Sequence, residues 1–133
     1  SVEALFTVMG TGCTSVNRMS SEGTDLVVGL WNDGRIGTIR GARTGKMPYG
    51  GTAVTDQGVV STGAYSGYEP LLKEVLKFFK TRVSPISEKE TLEIFTFIEA
   101  ADISKSKGGK IISMDATYAK GEKEARKLIR KLK

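Results

Sequence analysis

The sequence predicts an α+β domain, an open antiparallel sheet with helices packed on one face. Three observations predict it. Apolar, β-branched runs separated by glycine-rich turns fill the first half of the chain, and apolar residues at helical spacing fill the second. The two kinds of segment do not alternate, so a parallel βαβ core is not expected. With 133 residues the chain suits a single domain built on one core, and 39% hydrophobic against 26% charged residues is too apolar a balance for a disordered chain.

Taken in order, residues 2–9 are rich in β-branched and aromatic residues and run into Gly10 and Gly12, which predicts a strand and a loop. Residues 14–23 are polar and offer no apolar face, so they read as a loop or a weak edge segment. The apolar run Asp25 to Trp31 and the run Ile36 to Gly41 flank Asn32-Asp33-Gly34-Arg35. Asp-Gly at such a junction predicts a hairpin, since glycine accepts the positive φ of a tight reversal. A second hairpin is expected from residues 51–56 and 59–64, turning at Gln57-Gly58.

Glu69 and Pro70 suit a first helical turn. Leu71, Leu72, Val75, Leu76, Phe78 and Phe79 then form an apolar stripe, with Lys73, Glu74, Lys77 and Lys80 opposite. Ser87 followed by Glu90 has the spacing of a capping box and starts a helix that runs to Lys107, where Gly108-Gly109 stops it. Ile111 and Ile112 add a short strand, and residues 121–133 have helix-forming composition with Ala125, Leu128, Ile129 and Leu132 as the apolar stripe.

Function is narrowed first by what is missing. The chain has no histidine. Ser-His-Asp and Cys-His nucleophile pairs, a histidine general base and histidine-bound zinc are therefore outside the reach of this chain acting alone. The single Cys13 can form neither an internal disulfide nor a cysteine metal cluster, and it reads as a small buried apolar residue. A lone cysteine also fits a reducing compartment. The cytoplasm is the expected location, with the periplasm as the alternative should a leader precede Ser1.

Charge is unevenly placed. Residues 1–100 carry 10 basic and 11 acidic groups, and residues 101–133 carry 10 and 4. A domain that tracks phosphates over a whole docking face does not fit that division, so no nucleic-acid partner is expected. No membrane partner is expected either. The basic segment 115–133 reads in two ways: a solvated amphipathic helix packed by Leu128 and Leu132, or a tail that contacts anionic polymers. The first needs no ligand, because lysine near a helix C-terminus already complements the helix dipole.

Two glycine motifs fail on inspection. Gly10-Thr11-Gly12-Cys13-Thr14-Ser15 lacks the third glycine and the amphipathic helix of a dinucleotide turn, and Gly41 to Met47 lacks one spacer residue and the hydroxyl residue of a phosphate loop. Arg40, Arg43 and Lys46 beside Tyr49 could still form a small anion-facing cluster, against the alternative of a solvated loop.

The stretch Trp31-Asn32-Asp33-Gly34-Arg35-Ile36-Gly37-Thr38-Ile39-Arg40-Gly41, then Tyr68-Glu69-Pro70-Leu71-Leu72 leading to Phe78-Phe79-Lys80-Thr81, then Val83 to Ile94, then Phe97-Ile98-Glu99-Ala100-Ala101-Asp102-Ile103-Ser104-Lys105 with Gly108-Gly109, resembles the C-terminal half of a known family. It is the glucose–fructose oxidoreductase, inositol dehydrogenase and rhizopine-catabolism family of NAD(P)-dependent oxidoreductases. The match spans roughly residues 25 to 112, and Ser87 to Lys105 is its most specific piece.

The resemblance implies a C-terminal domain whose open sheet helps form a sugar or polyol pocket and a homodimer interface. It implies a Rossmann domain upstream that binds NAD or NADP, a cofactor this chain would not hold by itself. The family's glycine fingerprint, Glu-Lys-Pro motif and catalytic Asp/His motif lie upstream of the matched region, so no catalytic residue is assigned and the chain alone is expected to be inactive. Arg40, Arg43, Lys46 and Tyr49 are the candidate substrate contacts, since a sugar-like molecule needs hydrogen-bond donors. The alternative is a freestanding interaction module that dimerises through its sheet. The tail beyond Met114 departs from the family pattern.

Overall fold

The computed structural model describes residues 2–46, 49–63 and 67–132. Met47, Ala64 and Lys133, which enter the motif, strand and tail readings above, lie outside the described residues. The elements in chain order are α1 (Val2–Met9), β1 (Cys13–Ser20), β2 (Thr24–Trp31), β3 (Ile36–Ala42), β4 (Thr52–Thr55), β5 (Gly58–Ser61), α2 (Glu69–Thr81), α3 (Glu88–Ser106), β6 (Ile112–Ser113) and α4 (Met114–Lys131). They fall into two compact units, one made of residues 2–44 and 88–132 and the other of Gly45–Ser87.

The larger unit is the α+β domain. Its four strands lie in the order β3-β2-β1-β6, every pair antiparallel. The core sits between this sheet and α1, α3 and the first turn of α4. There Phe6, Phe97 and Trp31 form an aromatic triad with ring centroids 5.6 to 6.4 Å apart, over Val16, Cys13, Ala100, Ala101 and Met114.

Gly29 and Gly37 are register partners directly beneath the triad. A Cβ on Gly29 would come within 2.8 Å of both Phe97 and Trp31, and one on Gly37 within 2.8 Å of Leu5. The two glycines thus leave the space that the edge of the Trp31 indole occupies. Its Nε1–H donates to the Gly10 carbonyl at 2.9 Å, which joins the sheet to the end of α1.

Three sequence expectations are corrected. Residues 2–9 form a helix instead of a strand. Val2, Leu5, Phe6 and Met9 stand at helical spacing and all pack on the core, so period outweighs β-branched composition. Residues 13–20, expected as a loop or a weak edge segment, form strand β1, with β2 along one side and the two-residue β6 on the other at Ser15 and Val16. Their polar groups find partners within the fold. Arg18 pairs with Asp25 and with Asp102 of α3, and the Asn17 side-chain amide donates to the Gly109 carbonyl at 2.7 Å.

The last helix begins at Met114, well before residue 121, with Ser113 as its N-cap accepting the Ala116 N–H. It is held by buried Met114 and Thr117. Leu128 and Leu132, expected to pack it, are exposed.

The predicted hairpin at Asp33-Gly34 is present as β2 and β3. Gly34 takes φ 86°, and its N–H donates to the Trp31 carbonyl at 3.0 Å. Helix α3 ends at the expected glycines, with Gly108 and Gly109 at φ 68° and 86°.

The smaller unit holds the β4–β5 hairpin, which turns at Asp56-Gln57, and α2. Pro70 stands in the first turn of α2, and Arg82 in the left-handed region closes it by donating its N–H to the Phe78 carbonyl. The apolar stripe of α2 forms as predicted, but Leu71, Leu72, Leu76 and Phe79 are exposed.

Candidate functional site

Two features of the larger unit stand out: a cleft at one end of its helical layer and the face of the sheet opposite its helices. The cleft encloses about 570 Å³, within the ~300–1,000 Å³ usual for small-molecule pockets. It opens between the first turns of α3 and α4 and the loop that carries Gly12 and Cys13 into β1.

That loop is held by Glu93. Its Oε1 accepts the backbone N–H of Gly12 at 2.6 Å and of Cys13 at 2.8 Å. Two N–H groups on one charged acceptor make a strong clamp. Its effect is to set the loop at a fixed height over α3. Gly12, at φ 111°, also accepts the Asn32 N–H through its carbonyl at 2.9 Å, so the same loop is tied to the β2–β3 turn. The cleft wall combines Leu92, Met114 and Tyr118 with Glu88, Lys89 and Asp115, an apolar lining with a charged rim.

Cys13 lines the cleft but is no nucleophile. Burial pushes its thiol up to about 11, and the nearby Glu93 carboxylate adds to the shift. Its Sγ–H donates to the Ser15 carbonyl, and no histidine exists in the chain to take its proton. Among the described residues there is no group of three or more His, Cys, Asp or Glu side chains able to hold a metal ion.

The second feature follows from strand alternation. Val16, Val27 and Ile39 turn toward the helices. Register partners share a face, so Met19 with Leu26, and Leu30 with Ile36, stand together on the other side with Val28. The helices of the larger unit, α1, α3 and α4, pack on the opposite side. Leu30 and Ile36 are 43% and 64% exposed.

The four residues singled out from the sequence have different surroundings. Arg40 stands on the open face, in register with Leu26. Arg43 turns its guanidinium to the helical side, donating to the Ser21 and Glu22 carbonyls and pairing with Asp25. The thickness of the sheet thus separates the two arginines, and Arg43 is taken up in closing the end of the β1–β2 hairpin. Lys46 and Tyr49 belong to the smaller unit, where both are exposed.

Asp25 is the centre of a cluster invisible in the sequence. Ser20 donates to it, Arg18 and Arg43 pair with it, and these contacts hold its carboxyl down at about 2. Sequence reading also missed Glu93. The signal was available only in part, since a carboxylate on the inner side of a predicted helix is conspicuous but its loop partner lies 80 residues away.

No helix among the described residues is long and apolar enough to cross a membrane. No family model matches the chain, and neither the curated proteins nor the solved structures contain a match.

Proposed function

We propose that this chain is the substrate-side and oligomerisation domain of an NAD(P)-dependent sugar or polyol oxidoreductase, inactive alone and completed by a Rossmann domain elsewhere in the protein. One observation carries the reading: an antiparallel sheet in the larger unit whose own helices pack on one side, with Met19, Leu26, Val28, Leu30 and Ile36 on the other. An apolar sheet face of this kind loses free energy in water and gains it against a second surface. The residues that carry the family resemblance support it. Trp31 to Gly41 form the β2–β3 hairpin, and Ser87 to Lys105 supply α3, the helix against which the inner strand is built.

Arg40, on the open face beside the apolar patch, is the donor best placed to meet a polyhydroxyl molecule bound there. The cleft under Glu93 is a second place for a small ligand. The open face supports equally a freestanding module that dimerises through its sheet.

The coding sequence ahead of Ser1 separates the two readings. The oxidoreductase reading expects a strand–GxGxxG–helix pattern there, and expects that this chain alone binds no NAD(H) in a fluorescence titration. Tight NAD(H) binding by this chain, or an upstream region without that pattern, overturns it.

A further inference from the structure

Helix α4 has two parts with different fates. Its first turn is anchored: Met114 and Thr117 are buried against the body, and Ser113 caps it. From Tyr118 to Leu132 every residue is exposed, a run of roughly 20 Å at 1.5 Å per residue. Along this run Ala125, Leu128, Ile129 and Leu132 continue the same helical stripe that Met114 begins. Leu128, Ile129 and Leu132 are 62%, 55% and 87% exposed among the described residues.

The rest of the circumference is cationic. Lys120 pairs with Glu124, and Arg126 with Glu122. Lys123, Lys127, Arg130 and Lys131 have no acidic partner among the described residues, since Glu122 and Glu124, the two acids of this run, are those already paired.

We propose that the exposed part of α4 is a membrane-surface anchor that lies in the interface of an anionic bilayer, with Leu128, Ile129 and Leu132 in the acyl boundary. Both halves of the helix are then matched. Anionic headgroups meet the unpaired cations, and the hydrocarbon edge takes the stripe, the pattern of helices that lie on a membrane without spanning it. A duplex nucleic acid would satisfy the cations and leave the stripe in water. A second copy of α4 would cover the stripe and bring the uncompensated cations of both copies together. An acidic protein groove would have to desolvate the cations around the stripe, whereas at a lipid surface the far side of the helix stays hydrated and the lysine stems extend to the headgroups.

Vesicle flotation of the whole protein tests this. The vesicles are phosphatidylcholine alone, or equal parts of phosphatidylcholine and phosphatidylglycerol. Binding is expected on the mixed vesicles at low salt, about tenfold weaker on phosphatidylcholine alone, and falling as salt rises. The double substitution Leu128→Ser with Ile129→Ser keeps the charge and touches no buried residue. It should leave the circular dichroism and melting temperature unchanged and weaken binding at least about fivefold, because two of three inserting side chains are lost.

Absence of binding to the mixed vesicles overturns the proposal. So does a double variant that binds as well as the wild type, since the attraction would then be charge alone. Duplex DNA or an acidic polypeptide that binds with the same dependence on Leu128 and Ile129, while vesicles do not, assigns the helix to that partner instead.

Discussion

Ser104 of α3 accepts the backbone N–H of Arg18 at 2.8 Å and donates its own hydroxyl proton to the Lys110 carbonyl at 2.6 Å. Strand β6 pairs only with Ser15 and Val16, so the next outward N–H of β1 has no strand partner. A fully buried serine on a helix supplies the missing acceptor, and the loop after α3 is fastened by the same hydroxyl. Ser104→Ala leaves the Arg18 N–H and the Lys110 carbonyl without this partner in a part-buried place. It should cost about 1–3 kcal/mol in urea unfolding, and the amide protons of residues 16–18 should exchange faster. Unchanged exchange at Arg18 contradicts this role.

Glu93 predicts a sharper local effect. Glu93→Ala removes the charged acceptor for Gly12 and Cys13 and should cost about 1.5–3 kcal/mol, the range for hydrogen bonds to a charged group. Glu93→Gln keeps the geometry and should recover part of it. The amide resonances of Gly12 and Cys13 report the loss directly, and they should move while those of β3 do not.

Gly29→Ala places a Cβ within 2.8 Å of two core rings that have no free space to yield into. Overpacking of this kind costs about 1–3 kcal/mol. Gly41→Ala, where nothing lies within 4 Å, is the control and should be close to neutral at the sheet end.

Asp25 gives the fold an acid limit. Its carboxyl is held at about 2 by Ser20, Arg18 and Arg43, below the ordinary aspartate value of ~4. The folded state therefore binds the proton less readily than the unfolded chain. Its contribution to stability is complete above pH ~4 and is lost as the pH falls toward about 2. The melting temperature should decline across that window, and Asp25→Asn should flatten the decline. A variant with the same acid slope as the wild type contradicts the assignment.

The fold class was legible in the sequence because its main signals are local. Asp33-Gly34 sets a turn through glycine's own conformational freedom, and Gly108-Gly109 stops α3 in the same way. What was not legible depends on distant partners. Residues 13–20 read as a loop or weak edge segment because, Asp25 apart, the groups that satisfy Arg18 and Asn17 lie about 84–92 residues later, on α3 and its exit loop. Residues 2–9 were readable as helix from Val2, Leu5, Phe6 and Met9, but β-branched composition pointed the other way. Of the candidate substrate residues, the sequence brought Arg40 and Arg43 together by proximity alone. Their two positions face opposite sides of one sheet, which only the register reveals.

The proposed association through the sheet face that carries Leu30 and Ile36 is read out by sedimentation equilibrium. The wild-type chain should be a dimer at micromolar concentration, and Leu30→Glu, which places a charge on that face beside Ile36 at its β2–β3 turn end, should make it a monomer with an unchanged circular dichroism spectrum. A wild-type chain that stays monomeric at the highest concentrations reached, or a Leu30→Glu chain that still dimerises, contradicts the claim.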